Sequence, residues 1–335
     1  MNRTAILERL QSELREGNHI IGVSTGTGIT AKVAADSGAD FILMLNSGKF
    51  RQMGRSSLAG FLPFCNSNEM VMDFASKEIV PLVRDTPVLF GLNANDPTRD
   101  MSLYIEEIKN RGFAGVNNYP TVGLIDGAFR EALEEDGISY DREVEAIRLA
   151  HQQELFTVAF VFDKAQAVQM AEAGGRCDLC ASWPDRRRIA GGARKVVSLE
   201  AAKAKALRIL TACGEVKPEV IKMIYGGPVK TPVDVQYMYS NNTQIMGYIG
   251  GSAFERIPSE QSITAITRDF KRLGKLDEDD LMVKMLSGIT RHYDYVEFVK
   301  EYVAQNYSEE VVFADLAKVA HVSRSYLSSL FKKRK

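Results

Sequence analysis

Short apolar runs alternate with longer amphipathic stretches from Gly17 to Phe270. The runs are Ile20–Ser24, Phe41–Asn46, Val88–Asn93, Gly115–Tyr119, Phe156–Phe162, Asp178–Ser182, Ile221–Tyr225 and Ile245–Ile249. Most are apolar at consecutive positions, the pattern of parallel strands covered on both faces. The stretches between them predict helices, notably over Asn66–Val83, Arg99–Arg111, Gly127–Gln152 and Leu199–Cys213. Glycines mark the helix-to-strand joints, at Gly38, Gly112 and Gly174, where a helix ends in the left-handed conformation that glycine adopts without strain. Some eight such units over roughly 250 residues predict a (β/α)8 barrel. A doubly wound open sheet is the rival; it explains the regular spacing less well, and the first loop lacks a strict dinucleotide fingerprint. Ile6–Leu14 is expected to be a helix closing the bottom of the barrel.

After Phe270 the pattern changes. Gly274–His292 is charged, then amphipathic, and reads as a connector. Three short helices follow, over Tyr295–Asn306, Val311–Ala320 and Ser323–Lys333, with a His321-Val322 turn before the last. Ser323 suits a helix cap. Tyr326, Leu327 and Leu330 supply an apolar face, with Arg324, Ser325, Ser328 and Ser329 left outward. From Arg324 onward there are five basic residues and no acidic one, which suits phosphate contacts. The expected division is 1–273 barrel, 274–294 connector and 295–335 helical tail.

Asp315–Lys333, DLAKVAHVSRSYLSSLFKK, resembles the first helix-turn-helix of the AraC-type regulators. The resemblance implies that Ala317 is the small residue at the helix crossing and that Ser323–Phe331 enters the major groove. Ser323, Arg324, Ser325, Ser328, Lys332 and Lys333 are then the candidate DNA contacts. Such regulators carry a second helix-turn-helix, and this sequence ends at Lys335 without one. DNA affinity is therefore expected to depend on homo-oligomerisation. The competing reading is a helical tail whose lysines are merely solvated.

Composition adds bounds. The formal net charge of −1 means the body is no polyanion binder, so the basic end is a local feature. No apolar run approaches the roughly 20 residues of a membrane span, and no signal-peptide pattern opens the chain, so a cytoplasmic protein is expected. Cys177 and Cys180 form a C-x-x-C without further zinc ligands nearby; with Cys65 and Cys213 they read as buried reduced thiols.

In such barrels the reactive groups gather in the loops after the strands. Those loops supply Ser24, Thr25, Gly26, Asn46, Ser47, Gly48, Arg51, Asn118, Thr121, Gly226, Gly227, Gly250, Gly251 and Ser252 as candidate ligand-binding residues. The last two loops suggest an anion cradle, with Thr231 and Pro232 opening the next helix. Ser24–Gly28 reads equally as a tight turn or an anion loop, and Arg51 and Arg55 as guanidinium clamps. Asp96 is a candidate Mg²⁺ ligand, competing with a role as cap of the Pro97–Arg111 helix.

The same loops carry a second resemblance. NSGKFRQMGRSSLAGFLPF (Asn46–Phe64), DPTRDM (Asp96–Met101), GVNNYPTVGLIDGAFREALEEDG (Gly115–Gly137), YGGPV (Tyr225–Val229) and GGSAFERIP (Gly250–Pro258) are similar to the phosphoenolpyruvate hydrolase-like TIM-barrel family. The resemblance implies a barrel related to enzymes that handle small 2-oxo acids with Mg²⁺. Two departures stand out: Cys180-Ala181-Ser182-Trp183-Pro184-Asp185, then Arg186-Arg187-Arg188, lies where relatives have a histidine and a Thr/Gly-rich loop, and Tyr225 replaces the histidine of His-Gly-Gly-Pro. His19, His151, His292 and His321 all lie away from strand C-terminal ends, so acid–base work would fall to Asp, Glu, Tyr or Cys, with Asp96 and Tyr225 as the candidate catalytic groups. The expectation is a regulator whose barrel binds a small anionic metabolite and whose tail contacts DNA. The alternatives are a working lyase or hydrolase with a vestigial tail, and an oligomeric scaffold.

Overall fold

The computed structural model describes residues 1–173, 179–182, 198–272, 295–305, 307, 311–320 and 322–333. Eight parallel strands close into a barrel in chain order. They are β1 (Ile20–Thr25), β2 (Phe41–Met44), β3 (Val88–Gly91), β4 (Gly115–Asn117), β5 (Phe156–Val161), β6 (Leu179–Ser182), β7 (Ile221–Tyr225) and β8 (Gly247–Gly250). Closure is the pairing of β1 with both neighbours, Gly22 opposite Phe41 and Ile20 opposite Gly247.

Successive strand residues fall into two separate apolar clusters, because side chains alternate across a strand. Phe41, Leu43, Leu89, Phe156, Val158, Phe160, Met223, Tyr225 and Ile249 share one cluster, to which, among the buried described residues, α1 (Arg3–Arg15) is the α-helix that contributes. This is the barrel interior, and Ile6 and Leu10 of α1 plug it as expected. Ile42, Met44, Val88, Phe90, Val116, Ala159, Ile224 and Tyr248 belong to the other cluster, packed under the surrounding helices. Both faces being apolar is why the strands read as unbroken runs.

The surrounding helices are α2 (Gly28–Asp36), α3 (Asn46–Gln52), α4 (Ser67–Glu78), α5 (Met101–Asn110), α6 (Gly127–Glu135), α7 (Tyr140–Gln152), α8 (Lys164–Glu172), α9 (Leu199–Val216) and α10 (Pro232–Tyr239), and α11 (Arg256–Arg272), which buries no residue, follows β8. Three sequence expectations need correction. The 127–152 stretch is two helices, since Gly137 turns at φ +77° and Ser139 caps α7 through the Arg142 amide. The last strand starts two residues late, at Gly247. The cap of α5 is Asp100, which accepts from Leu103 N, and not Asp96.

The chain divides into two compact units, Met1–Ile263 and Thr264–Lys335. In the second, α12 (Tyr295–Gln305), α13 (Phe313–Val319) and α14 (Arg324–Lys333) share a small core of Val299, Tyr302, Leu316, Ala317 and Leu327. Tyr326, expected in that core, is instead 50% exposed, with its ring edge-on to Tyr295. Residues 274–294, the expected connector, lie outside the described residues. Among the described residues no helix is long and apolar enough to cross a membrane.

Candidate functional site

The C-terminal mouth of the barrel is built around Arg51. Its side chain is 2% exposed and pairs with Glu255, which is fully buried, through Nε donating to Oε2 at 3.0 Å. The other end of the guanidinium donates to Ser24 O at 2.9 Å and Ser24 Oγ at 3.3 Å. Nη1 makes only long contacts, 3.4 Å to Ser47 Oγ and 3.5 Å to Ser57 Oγ. Gly251 lies close against this group: a Cβ there would sit 3.0–3.1 Å from the guanidinium and push it aside by a few tenths of an ångström.

The second Glu255 oxygen accepts from Thr25 Oγ1 and from Gly26 N, both at 2.7 Å. The glycine loop after β1 therefore does hold a carboxylate, the protein's own. Gly26 also lies against Gly48: a Cβ on Gly26 would come 2.2 Å from the Gly48 carbonyl carbon. Two backbones cross here in contact. Gly26→Ala is expected to cost about 1–3 kcal/mol through overpacking, measured as a lowered urea midpoint with unchanged slope.

Two tyrosines complete the ring. Ser24 also hydrogen-bonds the Tyr225 hydroxyl and Ser47 that of Tyr119. Burial pushes both phenols up, so both stay protonated at neutral pH. Asn46 donates to Gly60 O at 2.9 Å and Asn117 to Phe90 O at 3.2 Å; each keeps a buried amide oxygen without a partner.

The loop after β4 is held from behind by Glu143, a fully buried residue of α7 that the sequence reading did not single out. Its carboxyl accepts from Asn118 Nδ2 at 2.7 Å and Val122 N at 2.8 Å, with Thr121 beside it. Burial raises its pKa to about 8, against the hydrogen bonds from Thr121, Asn118 and Val122. Between the ordinary value of 4.5 and about 8 the folded state keeps a proton the unfolded state has lost. This contribution is thus fully present below pH 4.5 and is lost as pH rises to about 8. Glu143→Gln should remove it, so variant minus wild-type stability should climb across that window, as denaturation at several pH values will measure.

The loops after β7 and β8 are placed less like an anion cradle than their glycines suggest. Gly226 and Gly227 adopt φ of +56° and +65°, which suits glycine. The amides at the entry to α10, however, are already engaged: Asp234 accepts from Lys230 N and Thr231 N, both at 2.9 Å, while Thr231 caps Asp234 N. Gly250 lies beneath the Phe254 and Tyr248 rings, and the Ser252 carbonyl accepts from Ile257 N as α11 begins.

Asp96 stands apart. Oδ1 accepts from Thr98 N and Oγ1 at 2.9 and 2.6 Å, and Oδ2 from Asn66 and Asn68 at 2.9 and 3.0 Å. Burial opposes its ionisation, but those four bonds outweigh it and hold the carboxyl below the usual range. Four donors fill the lone pairs of a carboxylate, leaving none for a cation. Glu255 is likewise spent on Arg51, and among the described residues no three His, Cys, Asp or Glu lie together as cation ligands. The side chains described at this mouth do not fit a Mg²⁺ site.

Arg55 is exposed, away from the Arg51 cluster. Cys65 is exposed rather than buried, while Cys213 is buried. Cys177, Trp183–Arg188, His292 and His321 lie outside the described residues. His19 stacks on Tyr239 at 3.8 Å, and His151 contacts Arg3. In α14, Ser323 accepts from Tyr326 N at 3.1 Å as its cap. Arg324, Ser325, Ser329 and Lys332 are exposed, and Ser328 is half-buried. The Lys333 side chain lies outside the described residues.

Residues 5–273 match the family described as "Phosphoenolpyruvate hydrolase-like". ToMV resistance protein Tm-1(GCR237) of Solanum lycopersicum is 40% identical over 272 residues, 81% of this chain and 36% of that protein. "Putative transcriptional regulatory protein y4pA" of Sinorhizobium fredii is 36% identical over 278 residues, 82% of this chain and 45% of that protein. The chain thus spans less than half the length of these curated relatives. Among solved structures, a phosphonopyruvate hydrolase in complex with oxalate and Mg²⁺ aligns over 91% of this chain and 99% of its own, with TM-score 0.52 and 12% identity, a likeness of fold.

Proposed function

Because this chain belongs to the phosphoenolpyruvate hydrolase-like family, we propose that it is a ligand-responsive regulator whose barrel binds a small anionic metabolite and whose tail contacts DNA. The expected ligand class is phosphoenolpyruvate-like or a 2-oxo acid. The ligand residues are Ser24, Thr25, Gly26, Asn46, Ser47, Gly48, Arg51, Asn118 and Thr121, with Gly226, Gly227, Gly250, Gly251 and Ser252 shaping the far side. The expected working form is a homo-oligomer.

The observation that carries this reading is α14: a serine-capped helix packed on α13 through Leu327, with Arg324, Ser325 and Lys332 exposed. A polar, cationic helix held by a short-turn partner is the form that reads a major groove. The regulator name of the Sinorhizobium relative points the same way. At the mouth, a sensor needs donors only, and Arg51, Ser24, Ser47, Tyr119 and Tyr225 are donors. Asp96 is held ionised and Tyr225 protonated, so neither is poised to exchange a proton near neutrality.

The second reading, a lyase or hydrolase with an inert tail, has one observation in its favour, the near-neutral titration of Glu143. That carboxyl is fully buried and hydrogen-bonded to its own loop, which fits a support for Asn118 and Thr121 better than a proton shuttle. The test is DNA binding across a salt series by the full chain and by residues 1–272. Binding confined to the full chain supports the regulator; equal binding by both, or by neither, removes the tail from the account.

A further inference from the structure

The donors that grip Glu255 form a complete carboxylate seat: the Arg51 guanidinium, the Thr25 hydroxyl and the Gly26 amide. Glu255 fills it imperfectly. It takes a single guanidinium N–H, whereas arginine binds a carboxylate best through two parallel bonds. The Nη1 edge meanwhile has only contacts of 3.4 and 3.5 Å, one of them to Ser57, which is half-buried. A small carboxylate at that edge would meet a donor held only by two long bonds, to Ser47 and Ser57.

The position of Glu255 in the chain gives the seat a second property. It is the residue immediately before α11, a helix with no buried residue. Among the described residues, the side-chain hydrogen bonds that tie 251–263 to the rest of the barrel are those of Glu255. Glu255 is thus the polar tie of the root of α11, next to the Phe254 ring that packs against Tyr248.

We propose that the seat of Arg51, Thr25 and Gly26 is the binding site for the carboxylate of a small 2-oxo acid or phosphoenolpyruvate-like ligand. Glu255 is its built-in competitor, and the incoming carboxylate displaces Glu255 and releases the root of α11. The proposal rests on the reading of the barrel as a metabolite sensor. Charge balance favours such an exchange. Arg51 keeps an anionic partner throughout, so no buried charge is left alone, and Glu255 regains water.

The test uses the full chain with phosphoenolpyruvate and pyruvate as probes. Calorimetry on wild type and Glu255→Gln should show the variant binding at least about tenfold tighter, since the neutral amide no longer competes as an anion. Hydrogen exchange on wild type, which needs no variant to fold, should show faster exchange over Glu255–Ile263 when probe is bound. Equal affinities in the two proteins, or probe binding with unchanged or slower exchange there, overturns the competitor and leaves the sensor reading standing. No binding of either probe to either protein overturns both.

Discussion

Arg51→Ala is expected to destabilise the barrel by about 3–5 kcal/mol, the range for breaking a buried ion pair from one side. The variant strands the Glu255 carboxylate with Thr25 and Gly26 but no counter-charge, in a site where neither partner is more than 2% exposed. It also empties the space above Gly251 and leaves Ser24 O without its donor. The double replacement Arg51→Met, Glu255→Leu should recover most of the loss, because buried apolar pairs of similar volume often equal a buried ion pair in stability. Urea unfolding of the two variants checks this. A single variant within about 1 kcal/mol of wild type, as exposed pairs give, would mean that the pair is not the keystone of the mouth.

On the DNA side, the combined Arg324→Ala and Lys332→Ala variant is expected to lower the slope of log affinity against log salt by about 2. Each phosphate contact contributes close to one unit. Both residues are exposed, so the fold of the tail should survive. Leu327, which carries its core, is untouched. Affinity should fall at every sequence tested rather than at one base pair, the mark of phosphate contacts. A variant with an unchanged slope would place these cations away from the backbone of DNA.

The barrel was legible because burial on both faces leaves a strand few polar positions, and eight apolar runs with glycine joints admit few topologies. The errors have local causes. Ile245 and Met246 extend the apolar run before β8 without being part of it. The charged amphipathic pattern of 127–152 continues across Gly137 although the backbone breaks there. Tyr326 shares a helix face with Leu330, but its ring meets Tyr295 and remains half open to solvent.

The site was half legible. Loop position named Ser24, Thr25, Gly26, Ser47 and Arg51, which the fold does bring together. Their partner was missed: Glu255 lies 204 residues from Arg51, inside the GGSAFERIP stretch but without a spacing that marks it out. Glu143 did leave a signal. With Tyr140, Ile147 and Ala150 it falls on one helical stripe of α7, so a carboxylate stood in an otherwise apolar face. Asp96 misled for the opposite reason. The residues that saturate it include Asn66 and Asn68, which only the fold brings near.

The most direct test is the DNA dissociation constant of the full chain, measured at fixed salt with and without saturating phosphoenolpyruvate or pyruvate. A metabolite-responsive regulator predicts tight binding whose constant changes at least about fivefold with one of the ligands, a coupling of about 1 kcal/mol. A constant that does not move although the barrel is shown to bind the ligand would contradict the account.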